Sequence, residues 1–216
     1  NGIGVVGVNW NVKIMPLKFL SINGSGSLSG AIAALEYANR MGAHVQNNSW
    51  GGGAFSQALF DVINASPAVV AAAAGNGGYN NDNNASFPSS FESAQIIVVA
   101  ATDRNESLAW FSQYGQFSVD VGAPGVDIRS TVPTGACALC DPSGYKNLQG
   151  TSMATPHVAG LAALLKAKNP ALTSLEIKKI ILDTVDSTVA LRATTYSGEA
   201  RVLTTKRINV RAALSY

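Results

Sequence analysis

The sequence is poor in charge, in cysteine and in long apolar runs, and each shortage excludes a class of protein. Asp, Glu, Lys and Arg make up 13% of the 216 residues, and the formal net charge is only +2. No cluster of Lys and Arg is dense enough for a nucleic-acid-binding face. No apolar run reaches the length of a transmembrane helix. We therefore expect neither a nucleic-acid partner nor a membrane span.

The two cysteines, Cys137 and Cys140, form a single C-x-x-C. One such motif cannot complete a zinc site, and the strand–helix context of a thioredoxin-like redox motif is missing around it. A local disulfide of a secreted protein is the favoured interpretation, and a pair of free thiols is the alternative. We expect a secreted, extracellular or periplasmic location.

The chain alternates segments typical of strands with segments typical of helices. Predicted strands are Val12–Leu20, Val45–Asn48, Ala68–Ala74 and Ile96–Ala101. Predicted helices are Ser29–Met41, Ser56–Ala65, Ser152–Lys168 and Ser174–Thr184. The continuous apolar runs among the strands are typical of a parallel sheet covered on both faces. With no repeat or linker, the pattern predicts a single three-layer α/β domain over residues 1–216, with a mostly parallel central sheet flanked by helices.

The most informative segment runs from Gly150 to Gly160 and reads Gly-Thr-Ser-Met-Ala-Thr-Pro-His-Val-Ala-Gly. It places Ser152 at the start of a predicted apolar helix. The free N–H groups and the dipole of a helix N-terminus favour developing negative charge, which suits a nucleophile. On these residues alone, a helix N-cap is the favoured interpretation of Ser152, and a nucleophile is the alternative.

This string closely resembles the signature around the catalytic serine of the subtilase family. The likeness extends over nearly the whole chain, through Phe111-Ser112-Gln113-Tyr114-Gly115, Ala123-Pro124-Gly125 and a typical domain end at Ile208 to Leu214. The resemblance implies a subtilisin-like fold and a serine endopeptidase that cleaves polypeptides through an acyl-enzyme at Ser152. The alternative is a catalytically inactive, peptide-binding module of the same fold.

The resemblance also implies an oxyanion site and a peptide-binding site. Ala72 to Asn76 resembles the oxyanion segment, in which the Asn76 amide and the Ser152 N–H would hold the oxyanion; read alone, Gly75-Asn76 is a turn. Residues expected to bind the substrate are Gly24, Ser25, Gly26, Ser49, Trp50, Gly51, Ala74 and Gly75. Trp50 stands where many relatives have Leu, and we expect it to narrow or fill a pocket beyond the one that binds the P1 residue of the substrate.

The family's Asp and His motifs, which precede the serine in chain order, are not found in this sequence. Of the two histidines, His44 lies in the wrong motif and His157 matches a structural residue of the family. None of the candidate aspartates lies in the family's aspartate motif: Asp61, Asp82, Asp103, Asp120, Asp127, Asp141, Asp183 and Asp186. We therefore expect an N-terminally truncated catalytic domain, inactive alone, whose partner is an upstream fragment of the same precursor. A pro-segment or a protein inhibitor is a further candidate partner.

A structural Ca²⁺ is the one cofactor that the resemblance implies, and no organic cofactor is expected. In relatives the first residues form half of a calcium loop, which assigns ligands to the Asn1 side chain and to the carbonyls of Ile3 and Val5. A second loop, Gly77 to Asn84, offers oxygen ligands but only one carboxylate. A solvated polar loop is the favoured interpretation of that second segment.

Overall fold

The computed structural model describes residues 2–187, 195–196, 199–200 and 206–216. Its helices are α1 (Leu28–Arg40), α2 (Gln57–Asn64), α3 (Thr151–Lys168), α4 (Ser174–Asp183) and α5 (Val210–Ser215). Its first strands are β1 (Val45–Asn48), β2 (Val69–Ala73), β3 (Ile96–Thr102), β4 (Val121–Pro124), β5 (Ile128–Thr131) and β6 (Tyr145–Leu148). The last are β7 (Asp186–Ser187), β8 (Thr195–Tyr196), β9 (Glu199–Ala200) and β10 (Lys206–Arg207).

The central sheet has the order β1-β2-β3-β4-β10-β7. Its first five strands run parallel, and only β7 is antiparallel to its neighbour. Strand β2 is buried along its whole length between β1 and β3, which explains its uninterrupted run of Val and Ala. The predicted mostly parallel sheet is therefore confirmed.

Helices cover both faces of this sheet, which gives the predicted three layers. On one face Val70, Ala72 and Val98 pack with Leu35 of α1 and Ile63 of α2. On the other face, the alternate residues of the same strands pack against α3, α4 and α5. The strand residues are Val69, Ala71, Ile97 and Val99, and the helix residues are Val158, Leu161, Leu165, Ile177, Ile181 and Ala213. The alternation follows the two-residue period of a strand, and the helices bury apolar side chains against the two faces of the sheet.

Local capping residues explain where the helices begin and end. The side chains of Ser27 and Ser56 accept N–H bonds from the first turns of α1 and α2. Thr173 and Glu176 form a reciprocal capping box at α4. Gly42 adopts a φ of 72° just after α1, as a glycine that ends a helix does.

One predicted strand is wrong. The structure has no strand between Val12 and Leu20, and this segment pairs with no strand of the described chain. Its apolar side chains are largely exposed, Ile14 to 79%, and Pro16 lacks an N–H to donate. A strand requires a neighbour for its backbone groups, and this segment has none in the described part of the chain.

A two-stranded hairpin, β5–β6, stands outside the central sheet and was not predicted. Its register pairs Ile128 with Leu148. Strand β6 ends at Leu148, shortly before α3 begins at Thr151. The loop at its far end is closed by a disulfide between Cys137 and Cys140, which agrees with the favoured interpretation of the C-x-x-C.

Candidate active site

Ser152 is the second residue of α3, at the carboxyl end of the central strands. The N-cap of α3 is Gly150 rather than Ser152, so the capping interpretation of this serine is wrong. The half-buried Ser152 hydroxyl donates a hydrogen bond to the Ser49 carbonyl, 3.1 Å away. Its oxygen therefore lies at the rim of the sheet, just past the end of β1.

Pro156 explains a second contact at this serine. In a regular helix, the N–H of residue 156 would donate to the carbonyl of residue 152, but proline has no N–H. The Ser152 carbonyl instead accepts a hydrogen bond from the Ser49 hydroxyl, at 2.9 Å. Ser49 and Ser152 thus exchange two hydrogen bonds, which fix the end of β1 against the start of α3.

Asn76 lies beside Ser152 because β2 ends there. After β2 the chain turns at Gly75, whose φ of 114° favours glycine, and the exposed Asn76 side chain reaches α3. Its Oδ1 accepts hydrogen bonds from the Thr151 N–H at 2.9 Å and the Thr151 hydroxyl at 3.1 Å. Within the described residues, Asn76 Nδ2 has no hydrogen-bond partner. The side chain is thus fixed through its carbonyl and presents its N–H donors to an incoming group.

Three further buried residues hold this turn, and none of them was predicted from the sequence to have a role. The Thr151 hydroxyl accepts the Gly75 N–H, 3.2 Å away. Gln113 accepts the Gly77 N–H at 3.1 Å, and Asn81 donates to the Ala74 carbonyl at 3.0 Å. Thr151 and Gln113 were visible only as members of the quoted motifs. Their partners lie 76 and 36 residues away, so no local signal reveals the contacts.

The expected peptide-binding residues fall into three groups. Ala74 and Gly75 lie in the turn that leads to Asn76, and Ser49, Trp50 and Gly51 follow β1. Trp50 is half-buried; its indole N–H donates to Asn48 Oδ1 at 3.0 Å.

The edge of the Trp50 ring contacts Phe19, with 5.2 Å between ring centroids. Gly24, Ser25 and Gly26 lie on the exposed turn that follows Phe19. A side chain at Gly26 would collide with the Phe19 carbonyl, so this position accepts only glycine.

Neither histidine can act on Ser152 in this arrangement. His157 lies on α3, and its Nδ1 is 2.9 Å from the Met153 carbonyl. His44 precedes β1, whereas Ser49 follows it, and four residues of strand separate their ends by about 13 Å. Among the described residues, no His, Asp or Glu side chain forms a hydrogen bond with Ser152.

The two candidate calcium segments differ in what the structure says of them. Asn1 lies outside the described residues, while Ile3 and Val5 lie in a loop with positive φ at Gly2 and Gly4. In the second segment, the Asp82 carboxylate accepts the N–H groups of residues 116–118 and the Ser118 hydroxyl. Its one carboxylate therefore holds a neighbouring loop, which favours the polar-loop interpretation.

The comparison with known families is decisive. Residues 1–206 match the sequence profile of the Subtilase family, peptidase S8. The chain belongs to the subtilase family. This subtilase chain is 42% identical over 184 residues to the alkaline elastase YaB of Bacillus sp. (strain YaB), which covers 85% of the chain and 46% of that relative. It is 40% identical over 187 residues to subtilisin Savinase of Lederbergia lenta, covering 87% of the chain and 65% of the relative.

Solved structures agree with the family assignment. A protease of Pseudoalteromonas arctica PAMC 21717 superposes with a TM-score of 0.84 at 32% identity, over the whole subtilase chain and 66% of that structure. A cold-adapted subtilisin-like serine proteinase gives a TM-score of 0.73 at 31% identity, over 95% of the chain and 70% of that structure. The subtilase chain spans about half the length of the first curated relatives that it matches. Among the described residues, no helix has the length and apolarity needed to cross a membrane.

Proposed function

We propose that the complete protein is a serine endopeptidase in which Ser152 attacks the scissile carbonyl and forms an acyl-enzyme. The observation that carries the proposal is the pair formed by Ser152 and Asn76, which Thr151 holds together at the start of α3. A nucleophile and an oriented amide donor on one rim are the parts that acyl transfer needs.

Each group has a defined role in this mechanism. The Ser152 oxygen forms the bond to the carbonyl carbon, and the carbonyl oxygen becomes negatively charged. Asn76 Nδ2 donates to this oxyanion, together with the Ser152 N–H, which lies in the first turn of α3 where N–H groups lack intrahelical acceptors. Collapse of the intermediate expels the amine and leaves the acyl group on Ser152, which water then releases.

A general base must come from outside the described residues, and we propose an upstream segment that carries the family's Asp and His. Without an imidazole, the serine hydroxyl is a poor nucleophile, and loss of triad members costs about 10⁴–10⁶ in rate. An open sheet edge supports this proposal. Strand β1 pairs on one side only among the described strands. Phe19, in the stretch at residues 12–20 that forms no strand, contacts Trp50 just past the end of β1.

Exposed apolar side chains support the same interpretation. The segment that contains this stretch lies over α3, where Gly160 leaves room for Val8. Several of its side chains are nevertheless exposed by more than two thirds: Ile3, Val6, Trp10, Ile14 and Ile22. Large apolar side chains that cluster on a surface mark an interface. We propose that the upstream segment covers them and adds a strand beside β1.

Substrate polypeptide is expected to run between the Gly24–Gly26 turn and the Ser49–Gly51 segment, bound by strand addition. Trp50 directly follows Ser49, whose carbonyl contacts the Ser152 hydroxyl. Its ring would therefore shape a pocket for the substrate residues on the acyl side of the scissile bond. The anchoring of this ring by Asn48 and Phe19 supports a fixed, narrowed pocket rather than an adaptable one.

We propose that a structural Ca²⁺ binds at residues 1–5. The proposed ligands are oxygens only, from Asn1, Ile3 and Val5, which is the chemistry that Ca²⁺ prefers. Gly4 packs directly on the Tyr145 ring, where no side chain fits, so the loop is held in one place. The ion would stabilise the folded protein and take no part in the reaction. The Cys137–Cys140 disulfide supports a secreted or periplasmic location.

The alternative, an inactive peptide-binding module, is not favoured. Binding an extended peptide would require the Gly24–Gly26 and Ser49–Gly51 segments only. It would not require Asn76 Nδ2 to be oriented toward an exposed site beside a serine hydroxyl, as Thr151 orients it.

Covalent labelling with a fluorophosphonate probe tests the proposal. The complete protein should react at Ser152, and mass spectrometry of the labelled peptide should locate the adduct there. Ser152→Ala should abolish labelling, whereas Ser49→Ala, which removes the neighbouring hydroxyl, should leave the adduct in place. Equal labelling of the parent and the Ser152→Ala variant would show that Ser152 is not the nucleophile.

A further inference from the structure

Asn76 is followed by Gly77, and this pair has a known chemical weakness. A backbone nitrogen can attack the side-chain amide carbon of the asparagine before it, most easily when the next residue is glycine and no Cβ hinders the approach. The new bond joins Gly77 N to Asn76 Cγ, the bond from Cγ to Nδ2 breaks, and ammonia leaves with the proton of the Gly77 N–H. Water then opens the succinimide to aspartate or isoaspartate.

The consequence at this position would be severe. The product has a carboxylate where the oxyanion donor stood, and a carboxylate repels an oxyanion instead of binding it. Burial does not protect the pair, because both Asn76 and Gly77 are exposed to solvent. Protection must therefore come from the contacts that hold the two reacting groups.

The structure holds these groups from two different directions. The Gly77 N–H, which would be the nucleophile, donates to Gln113 Oε1 at 3.1 Å. The Asn76 side chain, which would be the electrophile, is held by its Oδ1 on the Thr151 N–H at 2.9 Å. For the attack, Gly77 N must lose its proton and approach Asn76 Cγ, and both changes require that the bond to Gln113 is broken.

Gln113 is well supported in this position. Its side chain is only 4% exposed, and its Nε2 donates to Asn81 Oδ1. Its own backbone N–H donates to the Gly75 carbonyl at 2.9 Å. Gly75 has no side chain, and a Cβ there would collide with Gln113 Oε1. The glutamine thus fits against the turn, and its orientation is set by Asn81.

We propose that Asn76 is a site of spontaneous deamidation and that Gln113 is the positioning residue that suppresses the reaction. The effect on catalysis rests on the proposed function, but the chemistry at Asn76 does not. The chain contains a reference for the measurement, since Asn23-Gly24 is another Asn–Gly pair, in an exposed turn to which the Gln113 side chain forms no hydrogen bond.

The test measures deamidation of the complete protein by mass spectrometry of its peptides. A Ser152→Ala background prevents self-digestion during the incubation. The Gln113→Met variant keeps the size of the side chain and loses both hydrogen bonds. Asn76 should then deamidate about fivefold faster, because that is the rate factor that corresponds to the loss of one neutral hydrogen bond. Deamidation at Asn23 should stay unchanged. In Gln113→Glu, which keeps an oxygen acceptor for Gly77, the Asn76 rate should stay within about twofold of the parent.

Gln46→Met is the matched control, because Gln46 is also buried and hydrogen-bonded, to Asn39 and Ser66, but does not contact the turn. An unchanged rate at Asn76 in Gln113→Met would overturn the proposal. So would an equal acceleration in Gln46→Met, since loss of stability would then explain it, or in Gln113→Glu. If Gln113→Met does not fold, Gln113→Ser replaces it, because serine is too short to reach Gly77 and leaves room for a water.

Activity provides a second readout that separates this inference from the proposed function. In the active protein, turnover of a peptide should decline in step with the deamidation of Asn76, and faster in Gln113→Met than in the parent. If Ser152 fails to react with the fluorophosphonate probe, the proposed function is wrong, while the deamidation result stands. If Ser152 reacts but the Asn76 rates do not differ, only the inference about Gln113 is wrong.

Discussion

Thr151 connects the parts of the site at the scale of single residues. Its N–H and hydroxyl both bind Asn76 Oδ1, and the hydroxyl also accepts the Gly75 N–H. The side chain is fully buried, so water cannot replace these bonds. Thr151 therefore fixes the Asn76 amide, the proposed oxyanion donor, from within the protein interior.

Replacing Thr151 by valine, which has the same shape but no hydroxyl, should lower kcat about tenfold. The variant leaves the Gly75 N–H without its acceptor and Asn76 with one anchor, and each lost neutral bond is worth about 1 kcal/mol. KM should change little, because the oxyanion exists only in the transition state. Steady-state kinetics of the complete enzyme provide the measurement. The Asn76→Ala variant, whose kcat should fall about 10²–10³-fold, marks the largest effect expected from losing this donor. Thr151→Ser should restore kcat; a serine variant as slow as valine would rule out the hydroxyl as the cause.

At the scale of elements, α3 is held at the site by an interrupted hydrogen-bond ladder. Pro156 frees the Ser152 carbonyl, and Ser49 at the end of β1 uses it. A proline inside a helix normally destabilises it. Here the freed carbonyl has a use, because it joins the helix of Ser152, the proposed nucleophile, to the end of β1.

The Pro156→Ala variant should separate the effect of the proline on helix stability from its effect on the contact between Ser49 and Ser152. The new N–H at residue 156 would compete with the Ser49 hydroxyl for the Ser152 carbonyl. We expect the melting temperature to stay level or rise, since a helix bond is gained, while kcat/KM falls several-fold, on the scale of about 1 kcal/mol. Thermal unfolding and kinetics on the same preparation test this. Pro170→Ala, just past the end of α3, is the control and should leave kcat/KM unchanged. A Pro156→Ala enzyme with parental kcat/KM would show that the Ser49 contact is not needed.

Charged side chains join the short strands β7 and β10, because Arg207 of β10 binds Asp186 of β7. Asp186 accepts hydrogen bonds from Asn209 and Arg207, and these bonds hold the pKa of its carboxyl below the ordinary 3.8. Because the folded pKa lies below the unfolded one, the stabilisation is complete above the unfolded pKa and is lost as the pH falls toward the folded pKa.

Asp186→Asn should therefore be less stable than the parent near neutral pH and approach the parent as the pH falls below about 4. Melting temperatures across this range measure the difference. Asp61→Asn, which removes an exposed carboxylate on α2 away from Arg207, is the control for net charge. A parent-to-variant gap that stays constant from neutral to acid pH would contradict the assigned role.

The elements show how far the sequence could predict the fold. Helix ends were predicted to within one residue because caps such as Ser27, Ser56 and Thr173 are local signals. The stretch Val12–Leu20 has strand composition, yet a strand also depends on a neighbour elsewhere in the chain. The pair β7 and β10 has two residues in each strand, too few for any periodicity.

The site was predictable only in part for the same reason. Ser152 and Asn76 could be found because short strings around them resemble those of a known family. Thr151, Gln113 and Asn81 act through backbone groups of a turn made by other residues, and their roles appear only in three dimensions.

At the scale of the whole molecule, the described chain holds the Ser152 hydroxyl near an oriented Asn76 amide, and within it no His, Asp or Glu side chain bonds to Ser152. It also has one open side of β1 and a row of exposed apolar side chains between residues 3 and 22. One added segment that supplies a strand, the Asp and the His would account for all three observations. It would also complete the proposed Ca²⁺ loop.

The most direct test is a complementation assay with a peptide substrate. Residues 1–216, the upstream segment, and the two together are each assayed with and without Ca²⁺, and Ser152→Ala in the mixture is the control. Only the mixture should hydrolyse the peptide, and Ca²⁺ should raise its melting temperature by binding the folded state. Near-full turnover by residues 1–216 alone, shown by mass spectrometry to be free of the upstream segment, would contradict the account.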